Sequence, residues 1–178
     1  IIQWALTALD SSRHEWQAIA LSILSGRRMV EIYGTANYLL ANNGLIHIDG
    51  LAKKKKDSND SCEFIPLCDA EKWLTVWKNL ECKGKTPEQV NNTNARMISR
   101  NYPYELKMLG IDKFKDCRDF YAGLSIAAFK EIGYAMPEHF VMNIMGHESG
   151  ESTKYYRKFN VANVPSNIVE KYSLYELV

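Results

Sequence analysis

The positions of apolar residues along the chain predict a mostly helical protein. Behind an Asp10-Ser11 pair that is typical of a helix start, apolar residues recur at helical intervals, at Trp16, Ile19, Ala20 and Ile23. This spacing predicts an amphipathic helix that the Asp-Ser pair caps and Gly26 closes. Residues 27–40 are expected to resume the helix after a short break, and residues 41–44 (Ala-Asn-Asn-Gly) to form a turn.

Alternation of apolar and polar residues predicts a small β-hairpin after this turn. Residues 45–55 (LIHIDGLAKKK) alternate in this way, and residues 62–67 (CEFIPL) are expected to form the second strand. Between them, residues 56–60 (KDSND) have the composition of a turn. We therefore expect two antiparallel strands joined by a lysine-rich tip.

Further stretches have helical spacing, at residues 69–80, 86–102, 116–133, 136–147 and 166–177, with a helix or turn at 151–159. In the first of them, Trp73, Val76 and Trp77 are expected to face inward. The second starts with Thr86 as N-cap residue and Pro87 at the first helical position. The third has a long apolar run and is expected to be the central, buried helix. The predicted fold class is mainly α with a small β-hairpin or sheet.

Length and composition indicate a single domain. The chain has 178 residues, of which 46% are hydrophobic, enough for one domain with its own core. No stretch approaches the ~18 to 20 apolar residues of a membrane span. The start lacks the basic segment and cleavage site of a signal peptide. Because it carries Ile1 instead of Met, we expect a piece of a longer protein.

The cysteines argue against a metal site and against a disulfide framework. The four of them show neither CxxC spacing nor neighbouring histidine clusters. Reduced thiols in a cytoplasmic protein are therefore expected.

The distribution of charge matters more than its sum. A net charge of +1 argues weakly against a nucleic-acid-binding protein. The basic residues are clustered, however, at residues 27–28, 53–56, 113–118 and 154–158. Folding could bring these clusters onto one face.

Arg28 and Lys53 are the first candidates for phosphate chemistry. Arg28 follows a glycine at a helix start, where backbone N–H groups also favour anions, but it could instead be solvated or paired with Glu31. Lys53 lies at the end of a strand and could protonate a leaving alkoxide. Nearby cations must then favour its neutral form, because the pKa of a free lysine is about 10.4. For Lys54 to Lys56, the simpler interpretation is a solvated charge run.

Lys115 and Arg118 are three residues apart, on one face of a predicted helix start. A planar guanidinium matches two phosphate oxygens at once, which favours Arg118 as an anion-binding residue. The alternative is an ordinary salt bridge with Asp116 or Asp119.

His147 and the two tyrosines at 155 and 156 would, taken singly, more often be structural than catalytic. The candidates together are cations and hydrogen-bond donors around one phenol, without a carboxylate pair or a metal motif: Arg28, Lys53, Lys115, Arg118, His147 and Tyr156. That set suits a trigonal-bipyramidal phosphorus transition state. The cations neutralise the non-bridging oxygens, the phenol attacks, and an acid protonates the leaving 5′ oxygen. We expect neither a metal nor a cofactor.

Four segments, in the same order as in the family, resemble the sequence boxes of the tyrosine recombinases. SGRRMVEI is similar to the T-G-x-R-x-x-E-[LI] box and aligns Arg28, not Arg27. GLAK with FIPL resembles the family's β-hairpin lysine segment, and KDCRDFYA resembles its second arginine box, H-x-x-R. MGHESGESTKYY resembles L-G-H-x-x-x-x-x-T-x-x-Y, which aligns Tyr156, nine residues after His147.

One departure from the tyrosine recombinase boxes points to a particular group within that family. The histidine position of the second arginine box holds Lys115, and this Lys-x-x-Arg variant, with DFYA and the ending YYRKFNV, resembles the protelomerases, or telomere resolvases. Those enzymes cut a palindromic duplex and rejoin each end as a closed hairpin. The segment between GLAK and FIPL is longer than usual, which leaves both Lys53 and Lys54 open as the hairpin lysine.

The resemblance implies the tyrosine recombinase catalytic fold and a DNA breaking-and-rejoining enzyme. Tyr156 would form a 3′-phosphotyrosyl link that a 5′-hydroxyl later reverses, without ATP. Arg28 and Arg118 would clamp the phosphate, and His147 would donate a further hydrogen bond. Lys53 would be the general acid, and Lys115 would replace the usual histidine. Further DNA contacts are expected at Arg27, Lys54, Lys55, Lys154 and Arg157.

The resemblance also implies partners and leaves alternatives open. Residues 1–178 would be a single catalytic domain that binds double-stranded DNA, forms a dimer on it and has no membrane contact. We expect it in the cytoplasm of a bacterial or phage-infected cell. One alternative is an integrase that exchanges strands between two DNA sites. Others are a DNA-binding module that has lost the chemistry, and an unrelated helical interaction domain.

Overall fold

The computed structural model describes residues 1–52, 61–81, 84, 86–145, 159 and 161–175. The helices within this part of the chain are α1 (Ile2–Ala8), α2 (His14–Ile23), α3 (Ala70–Asn79), α4 (Pro87–Gln89), α5 (Ala95–Arg100), α6 (Tyr104–Met108), α7 (Phe114–Glu131), α8 (Pro137–Met145) and α9 (Ser166–Tyr175). The strands β1 (Asn37–Leu40), β2 (Ile46–Asp49) and β3 (Ser61–Phe64) form an antiparallel sheet in the order β1-β2-β3. The predicted fold class, mainly α with a small sheet, is confirmed.

The first predicted helix exists but begins later than expected. α2 starts at His14, with Arg13 as N-cap residue and no capping side chain. Ser11 Oγ instead accepts the backbone N–H of Arg13 at 3.1 Å. The Asp-Ser pair therefore belongs to the turn that separates α2 from α1, a helix that the apolar spacing did not predict.

The β-hairpin is confirmed, but its strands are shorter than expected, and β2 ends at Asp49, before the lysine run. β2 pairs with β3 so that Ile46 lies opposite Phe64 and Ile48 lies opposite Cys62. The lysine-rich tip falls outside the described residues.

The helix expected to continue through residues 27–40 is interrupted. A π-helical segment, Glu31–Thr35, is followed by strand β1, which pairs with β2. In β1, Tyr38 is buried, whereas Leu39 and Leu40 are 62% and 50% exposed. Because apolar residues occupy both faces of this short edge strand, the sequence shows no period-two pattern there.

The capping signals of α3 and α4 are confirmed, unlike that of α2. Asp69 caps α3 by accepting the backbone N–H of Lys72 at 2.8 Å. Thr86 and Gln89 form a reciprocal capping box at the start of α4, which continues through a π-helical segment, Val90–Asn94, into α5. Trp73 on α3 is fully buried, as expected.

α7 is the central helix, as predicted, and it contacts α2, α8 and α9. From α7, the hydroxyl of Tyr121 donates to the carbonyl oxygen of Ile65 at 2.8 Å. The hydroxyl oxygens of Ser125 on α7 and Tyr172 on α9 lie 2.6 Å apart. α7 therefore connects the sheet side of the molecule to the last helix.

Candidate active site

The turn after α2 places two consecutive arginines in different environments. Gly26 has a φ of +68°, and a Cβ atom there would lie 2.5 Å from the ring of Tyr121, so glycine is required. Ser22 Oγ donates to the carbonyl oxygen of Arg27 at 2.9 Å and fixes the backbone of the turn. The side chain of Arg27 is buried, whereas that of Arg28 is 18% exposed.

Glu31 is the buried carboxylate that orients Arg28. Its Oε2 accepts the backbone N–H of Arg28, and its Oε1 accepts the Nη1 donor of the same residue, both at 2.8 Å. The same Oε1 accepts the backbone N–H of Ala52 at 3.3 Å. Since Ala52 directly precedes Lys53, Glu31 joins the first arginine box to the segment that leads to the hairpin lysines.

Arg118 approaches the same turn from α7. Its Nη1 donates to the carbonyl oxygen of Gly26, and its Nη2 donates to the carbonyl oxygen of Met145 at 2.6 Å. Met145 is the last residue of α8, two residues before His147. The structure therefore brings the two arginine boxes together beside the end of α8, the helix that leads to the box with His147.

Three guanidinium groups determine the charge state of Glu31. Burial alone would raise the pKa of this carboxyl group. Arg27, Arg118 and Arg28, together with the backbone N–H of Arg28, outweigh burial and lower the pKa to about 2. Glu31 is therefore ionised at neutral pH, and these four side chains carry a net positive charge, which favours binding of an anion.

The ion pairs considered as alternatives are present in the structure. Arg28 pairs with Glu31, as described. Lys115 Nζ lies 3.1 Å from Asp119 Oδ2, one turn along α7, and the Lys115 side chain is 68% exposed. Lys115 also lines a surface groove of about 250 Å³ together with Met29, the neighbour of Arg28. Pairing orients these two cations without burying Lys115.

Arg27 was expected to contact DNA, and the structure corrects this expectation. Its side chain is 0% exposed. Its Nη2 donates to the carbonyl oxygen of Ile144 at 2.5 Å, and its Nε donates to that of Ser25 at 3.2 Å. Its guanidinium carbon lies 4.8 Å from the centroid of the Phe64 ring. A guanidinium that contacts the core on these sides has no surface from which to reach a phosphate.

Other predicted residues fall outside the described part of the chain, namely Lys53, Lys54, Lys55, His147, Lys154, Tyr156 and Arg157. Their roles stay predictions. The helix or turn expected at 151–158 lies outside it as well, and so do the last two residues of the helix expected at 136–147.

Two features of this site were not predicted. The sharing of Glu31 by three guanidinium groups had a partial signal, because Glu31 occupies the acidic position of the first arginine box and its pairing with Arg28 was considered. The inward orientation of Arg27 had none, because two adjacent arginines look alike until tertiary packing separates them.

The described residues also bear on metal sites, disulfides and membrane-spanning helices. They include no cluster of three or more His, Cys, Asp or Glu that could hold a metal ion. Cys62, Cys68 and Cys117 are free thiols. Within the described ranges, no helix is long and apolar enough to cross a membrane.

Sequence comparisons relate the chain to enzymes of telomeres. The family model described as "Telomere resolvase ResT/TelK catalytic domain" matches residues 1–159. A protelomerase of Klebsiella oxytoca phage phiKO2 is 27% identical over 168 residues, which cover 82% of this chain and 26% of that protein. Telomere resolvase ResT of Borreliella burgdorferi is 23% identical over 177 residues, covering 92% of this chain and 38% of that protein.

Solved structures share the fold. Protelomerase TelK complexed with substrate DNA matches with a TM-score of 0.71 at 23% identity, over 92% of this chain and 37% of that one. A protelomerase TelA covalently complexed with substrate DNA matches with a TM-score of 0.72 at 18% identity, over 93% and 58%. The chain thus spans less than two thirds of each of these relatives. The predicted tyrosine recombinase catalytic fold is confirmed.

Proposed function

The chain belongs to the family of the telomere resolvase ResT/TelK catalytic domain, and from this premise we propose that it cleaves and rejoins DNA in telomere resolution. Residues 1–178 are then its catalytic domain. The names of the relatives, protelomerase and telomere resolvase, support this activity over an integrase. Both similar structures contain substrate DNA, which supports double-stranded DNA as the partner.

The observation that carries the proposal is the convergence of Arg28 and Arg118 on one turn. They come from separate boxes of the sequence, and both contact residues of the Gly26–Glu31 region. Oriented guanidinium groups with excess positive charge fit the doubly charged, trigonal-bipyramidal phosphorus of a cleavage transition state. Arg28 is partly exposed and reaches the phosphate most directly.

Tyr156 attacks the scissile phosphorus in this mechanism. The phenolic oxygen loses its proton, to solvent or to a neutral Lys115, and forms the new bond to phosphorus, while the bond from phosphorus to the 5′ oxygen breaks. The products are a 3′-phosphotyrosyl link and a 5′-hydroxyl, so the bond energy is retained and a DNA 5′-hydroxyl reverses the step without ATP. Arg28 and Arg118 neutralise the non-bridging oxygens, and His147 donates a further hydrogen bond.

The leaving 5′ oxygen needs a proton, which Lys53 supplies. The hydrogen bond from Ala52 to Glu31 fixes the backbone one residue before Lys53, which supports Lys53 over Lys54. Nearby guanidinium groups favour the neutral form of an amine, and so they lower the cost of proton release. Lys115 takes the place of the usual histidine of the second arginine box and orients the phosphate or accepts a proton.

The proposed product is a closed hairpin. The new 5′ end must come from the opposite strand of the same duplex, so two active sites act a few base pairs apart. Melting the duplex between the cuts costs about 1.4 kcal/mol per base-pair step, which protein contacts must offset. We therefore propose a dimer on one palindromic site, in the cytoplasm of a bacterial or phage-infected cell. Backbone phosphates are neutralised by Lys54, Lys55, Lys154 and Arg157.

The test uses the protein that contains this domain and one linear palindromic duplex at limiting concentration. Two products that renature at once after heating, each half the original length, would support resolution. Products that require a second duplex and carry exchanged flanks would show an integrase instead. As a control, a duplex with one half-site scrambled should yield no hairpin, because two active sites must act together.

A further inference from the structure

We infer that Arg27 is a positioning residue for the cleavage reaction: it holds the C-terminal end of α8, the helix that precedes His147 in the chain, beside the turn that carries Arg28. This inference rests on the proposed function. Arg27 does not touch DNA in this account, because its side chain is fully buried. It acts through hydrogen bonds to backbone carbonyl groups that lie next to residues of the proposed site.

The first support is the pair of carbonyl groups that close α8. Arg27 Nη2 donates to the carbonyl oxygen of Ile144, and Arg118 Nη2 donates to that of Met145. The last carbonyls of a helix have no partner within the helix and lie at the negative end of its dipole. Two guanidinium groups satisfy consecutive carbonyls at this end. Gly146 and His147 follow directly.

The second support is that Arg27 links α8 to the turn that carries Arg28. Its Nε donates to the carbonyl oxygen of Ser25, three residues before Arg28 in the chain. Its own carbonyl oxygen is held by Ser22 Oγ. One side chain thus connects the first arginine box to the start of the segment that contains His147.

The third support is that the geometry requires a guanidinium. The Arg27 guanidinium donates to the Ile144 and Ser25 carbonyls, and its Cζ lies 4.8 Å from the centroid of the Phe64 ring. A lysine ammonium has one nitrogen and cannot make these contacts in different directions.

The test compares Arg27→Met and Arg27→Lys with Arg13→Met. Arg13 is a matched control, because its guanidinium also lies over an aromatic ring, 4.5 Å from the Trp16 centroid, but at the surface. Each variant is assayed well below its unfolding temperature for DNA affinity and for single-turnover cleavage of a nicked suicide duplex at saturating protein. The same Arg27 variants are also made in a His147→Ala background.

We expect Arg27→Met and Arg27→Lys to slow cleavage about 10²-fold, the loss that an ~1 Å misplacement of a catalytic group produces. DNA affinity should change less than about twofold, since no phosphate contact is lost. In the His147→Ala background the further loss should fall below about threefold, because residues that act through one another are not additive. Arg13→Met should cleave at the wild-type rate. Equal losses in both backgrounds, or a loss of affinity that matches the loss of rate, would overturn the inference.

A second measurement does not depend on activity. Hydrogen exchange of the free protein should speed up at the end of α8 in both Arg27 variants and stay unchanged in Arg13→Met. If exchange at the end of α8 is unchanged in the Arg27 variants while the wild-type protein cleaves DNA, the role of Arg27 is overturned but the proposed function is not. A wild-type protein that forms no covalent adduct would overturn the proposed function, whatever exchange shows.

Discussion

Asp10 and Glu31 accept hydrogen bonds from a cation at nearly the same distance, but in different surroundings. Lys72 Nζ lies 2.7 Å from both carboxylate oxygens of Asp10, and the two side chains are 44% and 69% exposed. Arg28 Nη1 lies 2.8 Å from Glu31 Oε1, and Glu31 is 0% exposed. Water screens the first pair, whereas the second lies where charges interact strongly.

The difference teaches that surroundings, more than distance, decide what an ion pair does. Around Asp10, water can replace either partner at little cost. Around Glu31, three guanidinium groups share one desolvated carboxylate, so removing it leaves buried positive charge uncompensated. One substitution at Glu31 should therefore change both the stability of the protein and the orientation of Arg28.

Replacing Glu31 with Gln should have the largest effect on stability. The amide keeps the shape of the side chain but removes the charge that compensates the fully buried Arg27. Breaking a buried ion pair from one side costs about 3–5 kcal/mol. Urea unfolding should show this as a fall in the free energy of unfolding. A fall below about 1 kcal/mol would contradict the view that Glu31 balances the cluster.

The contribution of Glu31 should also appear, with a smaller effect, in the pH dependence of stability. The pKa of Glu31 falls from 4.5 to about 2 on folding. Its contribution of about 3 kcal/mol is therefore complete above pH 4.5 and is lost as the pH falls toward 2. Urea unfolding at several pH values between 6 and 2 should show that the free energy of unfolding falls more steeply with falling pH in the wild type than in Glu31→Gln. Equal slopes would show that Glu31 is not the group that titrates.

Replacing Asp10 with Asn should have the smallest effect. The chemical change is the same as in Glu31→Gln, but an exposed pair contributes below about 1 kcal/mol. The loss should shrink further in ~1 M salt, because the screening length falls to about 3 Å, which is close to the separation of these exposed charges. A loss equal to that of Glu31→Gln would remove the distinction between the two regions.

The parts of the fold with local signals were predictable from the sequence. The N-cap at Thr86, the inward-facing Trp73 of α3 and the long apolar run of α7 depend on neighbours in the chain, and all three were predicted. The strand β1 was not, because its apolar residues are exposed on an edge and show no alternation. The N-cap of α2 was assigned to the wrong residue, because Asp10-Ser11 suits a turn as well as a cap.

Part of the candidate site could be predicted from the order of the sequence boxes. Arg28 and Arg118 were selected from their motifs, and the structure brings them to one turn. The burial of Arg27 depends on Phe64 and Ile144, which are remote in the sequence, so no local pattern could show it.

The central claim is that Tyr156 becomes covalently attached to DNA, and one measurement tests it directly. The protein is incubated with a nicked suicide duplex, and the DNA-linked peptide is identified by mass spectrometry. The account predicts attachment at Tyr156, no adduct for a Tyr156→Phe variant that still binds DNA, and an adduct for Tyr155→Phe. Adjacent residues of a helix point about 100° apart, so the two phenols would not be interchangeable there. A DNA link at Tyr155, or a wild-type protein that binds the duplex without any covalent product, would contradict the account.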